Sequence, residues 1–337
     1  MNIVFISRVY LPHLGGVETH IQEISAVLLK MGHTVSVITC SHDSKLSQTA
    51  TIEGVRVYRM PLGSDQNKIS LWRAVVQHKQ LLIDADIVHV HDVFWWILPC
   101  YVAIKNKVYT TFHGWETKLP IAVNAKIHRF LAAKLSQGTI HIGDFIQKFY
   151  YDVPSVVTYG GVNLKRFTKA GSLLPKNKKQ GLSFVFVGRL EKDTDVRLYL
   201  DFFELLARKK NPHTVVWVGD GSLKNECEKI GTVTGFVKNT SQYILQADFV
   251  CASSYLSILE AQSLQKVVCA FYSNPIKKAY LELFPGSKYM LVASSVENML
   301  AKLEHVTGSK VARSELELAA KKFAHAQSWQ SVVAKYM

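Results

Sequence analysis

NIVFISRVYLPHLGGVETHIQEISAVLLKMGHTVSVITC, residues 2–40, decides the fold class. NIVFIS is a short apolar run of the kind that forms a strand buried on both faces. A loop with Pro12 and the pair Gly15-Gly16 follows. From Val17 the apolar residues Val17, Ile21, Ile24 and Leu28 recur at helical spacing. Lys30 suits the last turn and Gly32 the C-terminal stop. TVSVITC, residues 34–40, then reads as the next strand. Adjacent glycines cost backbone entropy, so their place at a loop-to-helix junction needs a reason. One reading is an ordinary tight turn. The other is a ligand pressed against a helix start, where free N–H groups and the helix dipole favour an anion. The G-x-G-x-x-G of dinucleotide binders is absent, which argues against a dehydrogenase.

The same alternation continues outward. Strands are expected at Val55–Met60, Ile87–His91, Val108–Phe112, Thr139–Ile142 and Val156–Thr158, with helices at Ile69–Leu82 and Ala122–Ser136. Residues 168–180, TKAGSLLPKNKKQ, lose this order and read as a surface linker. A second alternation follows, with strands at Ser183–Val187, Thr214–Val218, Phe249–Ala252, Val267–Phe271 and Tyr289–Val292. Its helices fall near Val196–Arg208, Leu223–Ile230, Ser257–Leu264, Pro275–Leu283 and Val296–Val306, and the tail from Ser309 is helical. Two alternations around a linker argue for an α/β protein of two facing, doubly wound domains. The expected boundaries are 1–167, a linker at 168–182, 183–318, and a C-terminal segment at 319–337. Such sheets bind ligands at the carboxyl ends of their strands, so the expected site is the cleft between domains.

At 337 residues and 48% hydrophobic, the chain is large enough for two cores. Its formal charge of +14 is spread over both halves, with no basic tail. That balance attracts a polyanion, a sugar nucleotide or an anionic membrane face. No recognition-helix, zinc-spacing or RNA-binding aromatic signature accompanies it, so nucleic acid is not expected. The five cysteines, Cys40, Cys100, Cys227, Cys251 and Cys269, are scattered and form no C-x-x-C, which reads as buried thiols in a reducing compartment. MNIVFIS has no signal-peptide architecture. FWWILPCYVAI, residues 94–104, falls short of the ~20 residues that span a bilayer. The expectation is a cytoplasmic protein, with peripheral contact at the inner membrane face left open. Trp95-Trp96 would permit a lipid-linked acceptor at such a face, although buried core aromatics are the plainer reading.

Four stretches carry candidate chemistry. In TFHGWE, 111–116, His113 ends a strand and is placed to donate a hydrogen bond to a sugar hydroxyl or reacting oxygen; an architectural histidine is the alternative. His89 and His91 in DADIVHVHD read as structural, and Asp84-x-Asp86 as a solvated strand start. In FVGRLEKD, 186–193, Arg189 follows a strand with a planar fork of donors suited to a diphosphate, and Lys192 lies three residues on. In SSYLSILEAQS, 253–263, a serine-rich turn enters a helix. Free N–H groups are expected near Ser257 and Ile258. Glu260 is suited to take two hydrogen bonds from a ribose diol, unless it faces solvent. No D-x-D or His/Cys cluster is placed to hold a metal, so none is expected, and no cofactor is expected either.

Together these stretches resemble the family 4 glycosyltransferases, retaining enzymes of the GT-B fold. The resemblance runs through LPHLGGVETH, DIVHVH, TFHG, YGGVNLKRF (159–167), FVGRLEKD, VVWVGDGSLKNECEKI (215–230), VTGFV (233–237), LSILEAQ and FAHAQSWQSVVAKY. It implies two Rossmann-like domains. The first would bind the acceptor and the second a nucleotide-sugar donor, with a C-terminal helix crossing back to the first. It implies that Gly15 and Gly16 approach the diphosphate or transferred sugar and that His113 contacts that sugar. Arg189 would neutralise the diphosphate, with Lys192 a candidate second cation. Gly235, Phe236 and Val237 would border the base, Ser257 and Ile258 would offer N–H groups, and Glu260 would hold the ribose. The implied activity is metal-independent transfer of a hexosyl group to a glycan, lipid-linked or small-molecule hydroxyl in glycan biosynthesis. The acceptor and the donor's base and sugar stay open.

The sequence departs from the family pattern at four places. The acidic residue eight before Glu260 is Ala252. The turn that carries glycines reads Ser253-Ser254-Tyr255. The lysine about five residues after the arginine falls on Thr194, and the interdomain Asn-Gly is Gly160-Gly161. These departures keep a second reading open: a non-catalytic sugar-nucleotide-binding protein or partner subunit of the same fold. A GT-B epimerase or phosphorylase would need acid/base residues or a pyridoxal phosphate lysine that no motif supplies.

Overall fold

A computed structural model of the protein describes residues 1–115, 119–164 and 181–337. The chain divides into two compact units, Met1–Thr158 with Trp329–Met337, and Tyr159–Ser328. The expected linker falls outside the described residues except at 181 and 182, and Leu182 already opens a strand.

The first unit is built on an eight-stranded sheet: β1 (Asn2–Ile6), β2 (Thr34–Cys40), β3 (Thr49–Ile52), β4 (Val55–Met60), β5 (Ile87–His91), β6 (Val108–Phe112), β7 (Gly138–Ile142) and β8 (Val156–Thr158). The order is β3-β4-β2-β1-β5-β6-β7-β8. All pairings are parallel except β3–β4. β3 is an edge strand of four partly exposed residues, too short to show an apolar pattern. Its signal lies in the turn: Glu53 and Gly54 both have positive φ, 51° and 85°, as a two-residue hairpin requires. The order reverses between β1 and β5, so this is the switch point, with its crevice at the strands' carboxyl ends. Gly15-Gly16 follow β1, His91 ends β5, and His113 follows β6.

The second unit carries a wholly parallel sheet: β9 (Leu182–Val187), β10 (His213–Val218), β11 (Thr232–Gly235), β12 (Phe249–Ala252), β13 (Val267–Phe271) and β14 (Leu291–Ala293). The order is β11-β10-β9-β12-β13-β14, which places the switch point between β9 and β12. Its core is aromatic: Phe184, Phe186, Tyr199, Phe202, Phe203, Trp217, Phe249 and Phe271 are all fully buried. Each such side chain contributes roughly 1.5–3 kcal/mol of burial as an upper estimate. Tyr199 also works through its hydroxyl. The oxygen lies 3.3 Å from the carbonyls of Ala252 and Cys269 and accepts the Phe271 N–H at 3.2 Å. One buried side chain thus ties the ends of β12 and β13, where the switch-point loops begin.

Two helical expectations change. The stretch Ile69–Leu82 forms two helices, Lys68–Gln77 and Lys79–Asp84, broken at His78. The C-terminal segment also splits. Lys310–His325 belongs to the second unit, with Ala320 and Ala324 fully buried, and His325 lies 3.1 Å from the Ser263 carbonyl. Only Trp329–Tyr336 groups with the first unit.

Candidate active site

In the first unit the carboxyl ends of β5 and β6 gather histidines. His91 Nδ1 lies 2.8 Å from His113 Nε2. His20, on the helix Gly16–Lys30, packs edge-on to His113 with ring centroids 5.1 Å apart. Its Nε2 is 2.8 Å from the hydroxyl of Tyr336, which lies 3.1 Å from Thr111 Oγ1. Thr111 in turn meets His89 Nε2 at 2.7 Å. Burial holds His20 and His91 neutral well below the usual imidazole range and pushes His89 and His113 down to about 3, with the neighbouring imidazoles adding to the effect on His20, His89 and His91. The backbone at the site is pinned as well. Asp92 accepts the His113 N–H at 2.9 Å, and Arg129 donates to the Gly114 carbonyl at 2.8 Å while stacking on Phe112 and Tyr150. His89 and His91 are structural in the sense that they are buried, but His91 is also hydrogen-bonded to His113, while His89 joins the Thr111–Tyr336–His20 chain.

The glycine pair divides in role. Gly15 is the extended N-cap of its helix. A Cβ there would meet the Glu18 carboxylate, which lies 3.1 Å from His13 Nδ1. At Gly16 a Cβ would meet nothing within 4 Å. No group of the described residues therefore demands a bare backbone at Gly16.

In the second unit three strand ends converge. After β9, Arg189 is exposed and paired with Asp193 at 2.7 Å, and Lys192 is exposed in the short turn Lys192–Thr194. The close approach behind Arg189 depends on Gly219, where a Cβ would sit inside the Gly188 carbonyl. After β12 only Ser253 and Ser254 intervene before the helix Tyr255–Ser263. Glu260 on this helix is half-buried and accepts a hydrogen bond from Thr240 Oγ1 at 2.5 Å. It therefore faces the loop that begins at Gly235, Phe236 and Val237 and does not stand out in solvent. Gly235 adopts φ 73°, and Phe236 is 53% exposed.

The expectation of a free N–H at Ile258 is corrected. The helix starts two residues earlier than the pattern indicated, so Ile258 N–H donates to the Ser254 carbonyl at 2.9 Å and its side chain is fully buried. Ser257 is buried, with its hydroxyl 2.7 Å from that of Ser254. Ala252 is also fully buried, as the last residue of β12. The position eight before Glu260 thus lies in the sheet and not on the turn.

Sequence reasoning missed a buried cation here. Lys277, on the helix Pro275–Glu282, is 3% exposed and donates to the Ser253 carbonyl at 2.5 Å. Burial pulls its ammonium down to about 8, opposed by the charges of Asp195 and Asp193. Asp195 is itself buried and accepts from Ser273 Oγ at 2.5 Å. The only sequence cue was a lysine in the first turn after a strand-end loop, in a lysine-rich chain.

Two family models match the chain, one over each half: Glycosyltransferase Family 4 over residues 14–166 and Glycosyl transferases group 1 over residues 181–307. The chain belongs to the family 4 glycosyltransferases. Its two units are the Rossmann-like domains of the GT-B fold, similar to those of sucrose-phosphate synthase from Thermosynechococcus elongatus (TM-score 0.79, 12% identity, 99% of this chain and 97% of that one). HepE of Anabaena, solved with UDP and glucose, is similar over 100% of this chain and 98% of its own, with TM-score 0.74 and 13% identity. Among curated relatives, the phosphatidylinositol N-acetylglucosaminyltransferase GPI3 subunit of Saccharomyces cerevisiae is 35% identical over 60 residues, which is 18% of this chain and 13% of the yeast one. The phosphatidyl-myo-inositol mannosyltransferase of Mycolicibacterium smegmatis is 22% identical over 348 aligned positions, covering 96% of this chain and 89% of that one.

Proposed function

We propose that this family 4 glycosyltransferase moves a hexosyl group from a nucleoside-diphosphate sugar to a hydroxyl acceptor, with retention at the anomeric carbon and without a metal. The observation that carries the donor reading is the convergence at the second switch point. Arg189 stands at the end of β9, the Ser253-Ser254 turn at the end of β12, and Glu260 faces the loop at 235–240. In this reading the Glu260 carboxylate takes the ribose diol, the loop borders the base, and Arg189 exchanges Asp193 for the diphosphate. Lys192 adds positive charge, and the first turn of the helix Tyr255–Ser263, which includes Ser257, adds its dipole. The donor's anomeric C–O bond breaks toward the diphosphate, and the acceptor oxygen bonds to the same face. The acceptor's proton passes to the departing phosphate oxygen. The protein's share is positioning and stabilisation of the charge that develops on the leaving group. A carboxylate at Ala252 is not needed for that balance. HepE, solved with UDP and glucose, supports a nucleotide-sugar donor.

For the acceptor we propose a lipid-linked hydroxyl at an anionic membrane surface, in keeping with the two phosphatidylinositol-directed relatives. Trp95 and Trp96 are only half-buried, but the stronger surface is the helix Val123–Lys134. Its residues Val123, Ile127, Phe130 and Leu131 are 72, 51, 44 and 41% exposed at helical spacing. Lys126 and Lys134 share the helix, and no acidic residue occurs from 117 to 143. An apolar stripe edged by cations is suited to an anionic interface.

The deciding experiment is transfer from a panel of UDP-, GDP- and ADP-sugars to acceptors in phosphatidylinositol vesicles, with and without excess EDTA. Product of retained configuration that persists in EDTA is expected. Nucleotide-sugar binding with no product from any donor would favour the non-catalytic reading, and loss of activity restored by magnesium or manganese would overturn metal independence.

A further inference from the structure

We infer that His91 is a positioning residue that holds His113 in the Nδ1–H tautomer, so that the ring meets its ligand as a hydrogen-bond donor through Nδ1. The two imidazoles are 2.8 Å apart, His91 Nδ1 to His113 Nε2, and that short contact needs one hydrogen between them. There are two ways to supply it. If His113 Nε2 carried the hydrogen, His91 Nδ1 would accept and the His91 hydrogen would sit on Nε2. That Nε2 is buried and has no hydrogen-bond partner among the described residues. The arrangement would strand an N–H donor in the interior, the rarer and costlier kind of unpaired group. If His91 Nδ1 carries the hydrogen, its Nε2 is a bare lone pair and nothing is stranded but an acceptor. His113 Nε2 then accepts, and the only hydrogen left on His113 is at Nδ1.

The surroundings keep both rings neutral, which the choice between tautomers requires. His91 is 1% exposed, and His20, His89 and His113 crowd it, so that a proton on any ring opposes one on the others. Asp92, the nearest acidic residue in sequence, takes the His113 backbone N–H. His20 and His89 have their own oxygen partners, Tyr336 and Thr111. His91 is therefore the side chain that sets the His113 ring hydrogen. A neutral Nδ1–H imidazole can donate to a hydroxyl or to a leaving oxygen without bringing a charge to the site. The catalytic value of this tautomer rests on the transferase reading above; the tautomer itself does not.

The test uses the full chain labelled with 15N-histidine. Two-bond 15N–1H correlation spectra, assigned through His113→Gln and His91→Asn, read the tautomer of each ring. His113 should appear as the Nδ1–H form. His91→Asn places an amide donor where His91 Nδ1–H lies; it should keep the His113 tautomer and keep kcat within about 3-fold. His91→Asp offers only acceptor oxygens; it should drive the hydrogen to His113 Nε2 and lower kcat roughly 100-fold with donor KM little changed. Should His91→Asp fail to fold, the wild-type spectrum still decides. A His113 Nε2–H signal in the wild type overturns the inference. Equal kcat for the Asn and Asp variants overturns the positioning role. A wild-type protein that turns over no donor sinks the transferase reading and leaves the spectrum as the judge of this one.

Discussion

The two switch points place their chemistry in opposite environments. In the first unit the candidate groups are neutral rings hydrogen-bonded to one another or to hydroxyls, with His20, His89 and His91 buried and His113 half-buried. In the second, Arg189 and Lys192 are exposed cations and Glu260 is a half-buried carboxylate, while Lys277 and Asp195 are buried. On the proposed function, the difference follows from what each would meet. A sugar hydroxyl is neutral and is recognised by fixed donors and acceptors, which a buried hydrogen-bond chain orients well. A diphosphate carries its own charge, and an exposed guanidinium can trade one carboxylate partner for another at little desolvation cost.

The comparison can be broken most directly at His113. His113→Ala removes a group that we place at the reacting centre, and kcat should fall roughly 10²-fold or more while the melting temperature changes little. An unchanged kcat with a large loss of stability would make the first unit's cluster architectural. The second unit should respond in binding instead. A hydrogen bond to a charged group contributes about 1.5–3 kcal/mol, so Glu260→Ala should weaken nucleoside diphosphate binding roughly 10- to 100-fold by calorimetry. A 2′-deoxyribose ligand should lose less from the same substitution. Equal affinities in wild type and variant would remove the ribose from Glu260.

The smallest expected effect is on stability against pH, and it sharpens the comparison. A buried neutral histidine has a folded pKa below its unfolded value of about 6.5, so the unfolded chain binds more protons between the two. The contribution is fully present above pH 6.5 and is lost as pH falls toward 3, at up to about 1.4 kcal/mol per pH unit for each ring. Asp195 has the opposite sign: burial raises its carboxyl, so its contribution strengthens as pH falls. Amide exchange compared at pH 7.5 and 4.5 should therefore show protection lost first around β1, β5 and β6. Loss that begins around β9 and β12 would contradict the assignment.

The same contrast explains what could be read from the sequence. Long parallel strands announce themselves as apolar runs, so β5, β6, β12 and β13 have the predicted bounds. Charged residues after such runs, Arg189 and Glu260, stand out because nothing else explains them. Burial of a polar side chain leaves no local trace. His91 and Lys277 become notable only when strands and helices distant in sequence meet, and Thr240 only when its loop folds toward Glu260. The start of the helix at Tyr255 was hidden for a related reason. Tyr255 looks like turn material, but its ring stacks on Tyr280 at 3.9 Å and its N–H donates to the Tyr280 hydroxyl, which serves as the cap.

Tyr336 gives the molecule a schedule. Its hydroxyl completes the partner set of His20, 316 residues earlier, and of Thr111, 225 residues earlier. A chain emerging from the ribosome folds its N-terminal domain first. Here that domain has its sheet long before it has its last helix, Trp329–Tyr336, which is made only after the whole second unit. Until the second unit has been made, the interior around His20 and Thr111 lacks its phenol. The nascent first unit is thus a fold without its full set of interior partners, and its final ordering waits until Trp329–Tyr336 has followed the second unit out of the ribosome.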